Sequence, residues 1–375
     1  MAEPKQSWDI FCKIVDNFGD IGVCWRLAKQ LHHEHGLSVR LFVDDLSVAA
    51  KMLTGISNAA EQTYAGVTVV RWDGATSFSH AADVVLETFA CGLPVAYLKQ
   101  MTTKTVWVNV DYLSAESWVP EFHALNGQHR ETGFTRHFYF PGFNEQTGGL
   151  LREQDLMTRR SDFQQADAPQ QRNFWNSLQI NHRVDDFNIS LFSYENAPIN
   201  EFLYSLVDGD RQASIFMPFN HHLPTPLLDQ YDLAVGDAIQ TGNLTVHILP
   251  FLSQEDYDAL LWACDINFVR GEDSLVRAIW SGKPFVWQPY WQEDNSHLLK
   301  LNAFLDDFYD HSDINHALTK LHESWSTQVF HYNAWQDYLS NLDAISVHTQ
   351  QQSNHLIQQD DLVTKLVGFC VRLAN

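Results

Sequence analysis

The sequence predicts an α/β protein built from two Rossmann-like domains facing a central cleft. Three observations carry that expectation. Apolar runs of strand length alternate with amphipathic helical stripes, the pattern of a parallel, doubly wound sheet. The alternation occurs twice, on either side of a polar stretch over 146–183 that is rich in Gln, Arg and Asp. At 375 residues the chain also exceeds one ordinary domain. Paired sheets of this kind bind ligands at the carboxyl ends of their strands. The expected division is 1–182 for the first domain with its connection, 183–355 for the second, and 356–375 for a closing helix that returns to the first.

The first half opens with an apolar strand over 8–15. After a loop over 16–22, Cys24, Leu27, Ala28 and Leu31 fall at helical spacing, and Gly36 is placed to end that helix. Residues 37–43, 67–72, 83–87 and 106–110 read as further strands, and 88–94 as a turn. In the second half the strands are 188–192, 213–217, 244–249, 265–269 and 284–287. Ile199, Phe202, Leu203 and Leu206 mark one helix, with Asn196 and Pro198 near its start. Ser253 with Asp256 marks the start of another. A short helix follows over 274–280, and Val363, Leu366, Val367 and Cys370 form a last amphipathic helix.

Hydrophobic residues make up 45% of the chain and aromatics 13%, which excludes disordered and low-complexity classes. The net charge is −22, and it is uneven. Residues 1–185 carry 16 Lys and Arg against 21 Asp and Glu, whereas 186–375 carry 8 against 25. Such a chain repels nucleic acid and anionic membrane, and an anion can bind only through a local device. The surplus acid suits the approach of a basic protein face. The opening residues have no basic and then apolar signal pattern, and no run reaches the ~18 apolar residues of a spanning helix. Five cysteines without a Cys-x-x-Cys motif suggest neither a disulfide frame nor a zinc site. A cytoplasmic protein without a resident metal is expected.

Two loops carry most of the chemistry. The first is Asp16, Asn17, Phe18, Gly19, Asp20, Ile21 and Gly22, between the first strand and the first helix. Gly19 and Gly22 fit only part of a dinucleotide fingerprint, and a pyrophosphate there would face two carboxylates. Asp16 and Asp20 suit base chemistry or cation binding. They equally fit a capping Asp and an Asx-turn. The second loop is Arg270, Gly271, Glu272, Asp273 and Ser274, again between a strand and a helix. Free N–H groups at the helix start, Gly271 for close approach, the Ser274 hydroxyl and the Arg270 fork can hold a diphosphate in an acidic domain. Glu272 and Asp273 then suit sugar hydroxyls, or else merely complement the helix dipole. Gln288 and Tyr290 end the next strand. Phe192, Tyr194 and Phe251 follow other strands, where aromatic rings stack on bases and sugars or fill a core.

The segment 9–28, with Asp16-Asn17-Phe18-Gly19-Asp20-Ile21-Gly22 at its centre, resembles the opening of bacterial protein-arginine rhamnosyltransferases that act on translation elongation factor P. The 270–274 block, with Gly282-Lys283-Pro284-Phe285-Val286-Trp287-Gln288, is similar to their donor-site block. The resemblance implies a GT-B architecture and an inverting transfer of L-rhamnose from dTDP-β-L-rhamnose to an arginine, without a required metal. It also implies Asp20 as base with Asp16 as its companion. Arg270, Glu272, Asp273 and Ser274 would hold the diphosphate and sugar, with Phe192, Tyr194, Phe251 and Gln254 flanking the nucleotide. A GT-B nucleotide-sugar epimerase and a non-catalytic acidic adaptor for a basic protein surface are the other readings.

Overall fold

The computed structural model describes residues 6–16, 18–165, 168–183, 185–218, 226–229, 231–309 and 314–374. The chain divides into two compact units, Met1–Gln154 with Leu356–Asn375, and Asp155–His355.

The first unit is built on β1 (Ser7–Cys12), β2 (Ser38–Val43), β3 (Glu61–Tyr64), β4 (Val67–Arg71), β5 (Val84–Thr88), β6 (Val106–Val110), β7 (Asn126–Gln128) and β8 (Thr135–Tyr139). They lie in the order β3-β4-β2-β1-β5-β6-β8-β7. The strands are parallel except for the terminal β3 and β7, which pair antiparallel. From β1 the winding therefore proceeds outward through β2 and β4, then returns to start again at β5. The reversal between β1 and β5 is the point where a doubly wound sheet opens to a ligand.

β1 shows why the sheet is buried on both faces. Trp8, Ile10 and Cys12 alternate onto one face, where they meet Ile21, Cys24, Leu27, Ala28 and Leu31 of the helix Gly19–His33. Phe11 points to the other face and stacks on Phe42 at 4.5 Å between ring centres. Asp9 shares that second face and is buried, so it needs partners. Arg40 supplies two bonds, at 2.7 and 2.6 Å, and the Tyr97 hydroxyl donates a third at 2.6 Å. The helix Leu362–Ala374 buries Leu362, Val363, Leu366, Phe369 and Cys370 in the core of this same unit.

The second unit is built on β9 (Phe187–Leu191), β10 (Ala213–Pro218), β11 (Ala238–Thr241), β12 (Leu244–Leu249), β13 (Ile266–Arg270) and β14 (Phe285–Gln288), in the order β11-β12-β10-β9-β13-β14. Only β11 is antiparallel. Here the winding reverses between β9 and β13. Aromatic rings fill the interior: Phe202 and Phe268 meet at 4.7 Å, and Trp325 and Trp335 close on Phe202 at 5.4 and 5.1 Å.

Three expectations need correction. β1 ends at Cys12 rather than at 15, because the N–H groups that would continue the ladder go elsewhere. Ile14 donates to the Asp44 carboxylate at 2.9 Å, and Val15 and Asp16 donate to Asp20. Residues 155–182 are not a bare connection of the first domain. They form the helices Leu156–Phe163 and Pro169–Ser177, which bury Phe163 against Trp262 and Trp175 against Phe216. Those partners lie in the second unit, so the division falls after Gln154 rather than at 182. The helix expected over 274–280 starts at Gly271, directly after β13. Among the described residues no helix is long and apolar enough to cross a membrane.

Candidate active site

In the first unit Asp20 stands in the first turn of the helix that follows β1, and it is 3% exposed. Its Oδ2 accepts the backbone N–H groups of Val15 at 2.6 Å and Asp16 at 2.8 Å. The carboxylate therefore does not cap its own helix. It pulls the loop back onto the helix start. Both bonds fall on the same oxygen, which anchors the carboxylate from one side. Burial raises the Asp20 pKa above the ordinary carboxylate value, and the two backbone N–H groups oppose that rise. The neighbouring charges of Asp16 and Asp44 push it further upward. A buried carboxylate with a raised pKa and a fixed orientation has the properties of a general base.

The rest of the loop is shaped around this group. Gly19 donates its N–H to the Asp16 carbonyl at 2.7 Å. A Cβ at Gly19 would lie 2.8 Å from Asp16 Oδ2, so a larger residue there would push that carboxylate aside. Gly22 donates to the Phe18 carbonyl at 2.9 Å, and Phe18 packs on the core beneath. Asn17 lies outside the described residues.

In the second unit the loops after β9, β13 and β14 form one polar and aromatic cluster. Gly271 has a left-handed backbone (φ 64), which favours glycine, and its carbonyl accepts the Trp287 indole N–H at 2.8 Å. Arg270 lays its guanidinium 4.8 Å from the centre of the Tyr194 ring and donates to the Ser193 carbonyl at 3.3 Å. Tyr194 meets Tyr290 edge-on at 5.6 Å. The buried Gln288 fixes the loop: its Oε1 accepts the Tyr194 N–H at 2.9 Å, and its Nε2 donates to Asn196 at 3.0 Å.

Glu272, Asp273 and Ser274 form the first turn of the helix Gly271–Ser281. Glu272 does more than complement the dipole, because its Oε1 pairs with Lys300 Nζ at 2.5 Å. Phe192 packs edge-on to Tyr257 at 4.7 Å, and Phe251 is 48% exposed after β12. Gln254 is the buried first residue of the helix Gln254–Ala263, whose Ser253 cap accepts the Asp256 N–H at 3.0 Å. Beneath the cluster, Arg277 and Asp258 form a fully buried two-bond ion pair at 2.8 and 2.6 Å. It ties the helix bearing Gln254 to the helix bearing Ser274.

Tyr257 and Lys300 belong to this neighbourhood although sequence reasoning did not single them out. Burial pushes the Tyr257 hydroxyl well above its ordinary pKa. Tyr257 had a legible signal, since it lies one turn past the Ser253 cap on the strand-facing side of a helix. Lys300 had none: 28 residues separate it from its partner in sequence.

Two parallel, doubly wound units, each with its polar loops at the winding reversal, define the class: a two-domain α/β protein of GT-B glycosyltransferase architecture. A solved UDP-glucosyltransferase from Polygonum tinctorium shares this fold with a TM-score of 0.55 at 11% identity, covering 100% of this chain and 99% of that one. The particular family follows from closer matches. The model of the elongation factor P (EF-P) rhamnosyltransferase family EarP matches residues 8–371, and the chain belongs to that family. A protein-arginine rhamnosyltransferase of Pseudomonas putida is 42% identical over 97% of this chain and 98% of its own length. A solved structure concerned with EarP-mediated arginine glycosylation of translation elongation factor EF-P is 34% identical, with a TM-score of 0.70, covering 97% of this chain and 98% of that one.

Proposed function

We propose that this protein transfers L-rhamnose from dTDP-β-L-rhamnose to one arginine of EF-P, with inversion at the anomeric carbon and without a metal, in the cytoplasm. The observation that carries the reading is Asp20: buried, anchored through one oxygen, and raised in pKa. In a single displacement the arginine nitrogen forms a bond to the anomeric carbon as the bond from that carbon to the diphosphate oxygen breaks. The nitrogen gives its proton to Asp20, and dTDP leaves with the electron pair.

A guanidinium has a pKa above about 12, so a carboxylate cannot strip it in the ground state. Asp16 and Asp20 instead grip the cation, turn one nitrogen toward the sugar, and take its proton as the new bond withdraws electron density. The helix start at Gly271–Ser274 and the Arg270 fork stabilise the charge on the leaving diphosphate. Glu272 and Asp273 accept hydrogen bonds from sugar hydroxyls. Phe192, Tyr194, Phe251 and Gln254 surround the nucleotide base, and Gln288 and Tyr290 support that wall.

The test is intact mass of EF-P after incubation with the protein and dTDP-β-L-rhamnose, in the presence of EDTA. An unchanged mass with a folded enzyme refutes the proposal. Asp20→Asn is expected to abolish transfer while dTDP affinity, followed by calorimetry, stays near wild type. Equal loss of both would defeat the assignment of Asp20 as base.

A further inference from the structure

The first unit carries a second loop at its winding reversal, opposite the one that holds Asp20. β5 ends at Thr88, next to the end of β1: the Thr88 hydroxyl donates to the Phe11 carbonyl at 2.7 Å and lies 3.3 Å from Cys24 Sγ on the helix that bears Asp20. Beyond it the backbone turns left-handed at Phe89 (φ 54), Ala90 (φ 51) and Gly92 (φ 77). Two successive non-glycine residues in that region are strained, and such strain persists only where the surroundings hold it.

The hold is specific. Phe89 N–H reaches the Val110 carbonyl at 2.8 Å, Ala90 N–H reaches Asn109 Oδ1 at 3.1 Å, and Gly92 N–H reaches Glu87 Oε1 at 3.0 Å. The buried Asn109 also donates from Nδ2 to Asp111 at 3.1 Å, and Asp111 accepts the Tyr112 N–H at 2.8 Å. One side-chain amide thus fixes the loops after β5 and β6 together. The product is a ring stack between Phe89 and Tyr112, 4.5 Å between centres and 16° from parallel. Tyr112 remains 39% exposed, and Val15 and Val95 on the neighbouring loops are 61% and 60% exposed.

We infer that the Phe89–Tyr112 stack is the platform on which the acceptor protein lays its arginine side chain beside Asp20. The inference rests on the proposed function and adds the means of acceptor recognition. The stack lies at the ligand-binding position of its sheet. Asp16 and Asp20 lie in the loop and helix start after β1, Asp44 follows β2 and Asp111 follows β6, so the surrounding charge favours a cation and repels a sugar diphosphate. A guanidinium combines planarity with positive charge, and aromatic faces and carboxylates together bind it. The exposed valines offer apolar contact to the acceptor's flanking residues.

Steady-state kinetics with EF-P as the varied substrate test this. Tyr112→Ala is expected to raise KM for EF-P by about ten-fold or more, with kcat and dTDP affinity near wild type, as for a cation–aromatic contact at an interface. Tyr112→Phe is expected to restore wild-type KM, because the ring face rather than the hydroxyl is used. An unchanged KM in Tyr112→Ala, or the same rise in Tyr112→Phe, overturns the inference. So does parallel loss of dTDP binding, since the defect would then be general. A wild-type enzyme that leaves EF-P unmodified refutes the proposed function itself, which separates that failure from failure of the platform.

Discussion

Asp20 holds its loop with a single carboxylate oxygen. Its two accepted N–H groups lower its pKa, yet burial outweighs them. The sign of the pH dependence follows. As the proposed base, Asp20 acts when ionised, so kcat/KM for EF-P should rise with pH through its raised pKa. Asp16 contributes to that elevation by its charge. Asp16→Asn should therefore move the acid limb of the rate profile to lower pH, whatever it does to the maximal rate, while its backbone N–H still reaches Asp20. A limb that stays in place or moves upward contradicts this electrostatic account. Sequence reasoning left open whether Asp20 was a cap or a base. The structure resolves the cap question, because Asp20 bonds the residues before its helix and none of the N–H groups after it. The linkage is also informative: a carboxylate with a raised folded pKa favours the fold at acid pH, and that contribution fades as pH rises through the raised pKa.

At the scale of elements, the loops after β9, β13 and β14 stand on a buried electrostatic joint. Arg277 and Asp258 are both 1% exposed, so removing either breaks an ion pair inside the protein. Arg277→Met is expected to cost about 3–5 kcal/mol of stability, and pairing it with Asp258→Leu should return part of that loss. Urea unfolding of the single and double variants checks both statements. A double variant as unstable as the sum of the singles would mean that the pair does not couple. Parallel core strands were readable because they are continuous apolar runs: β6 and β12 fall on their expected residues. β3, β7 and β11 were not, being short polar end strands whose pairing comes from a neighbour and not from their own pattern. The same physics limited the site. Loops that directly follow a strand and open a helix could be found, whereas Asn109, Phe89 and Tyr112 act through contacts between strands. Residues 88–94 read as a turn, but nothing announces the left-handed backbone at Phe89 and Ala90, which carry no turn signal.

At the scale of the molecule, both units obey one winding rule, and their reversals carry different groups: carboxylates and an aromatic stack in one, a helix start with an Arg in the other. The helix Leu362–Ala374 adds a constraint of a different kind. It completes the interior of the first unit, yet it is encoded after the whole of the second. Deleting residues 362–375 should therefore lower the melting temperature of the first unit and leave dTDP binding in place, a result that differential scanning calorimetry with and without dTDP would check. Loss of dTDP binding on that deletion would count against the division. The order of synthesis then matters. Translation delivers the second unit entire before it delivers the last wall of the first, so the first sheet waits with one flank uncovered while about 200 further residues are made. Folding of the first unit therefore waits for the helix Leu362–Ala374, and a ribosome that stalls before that helix would leave the second unit joined to an unfinished first.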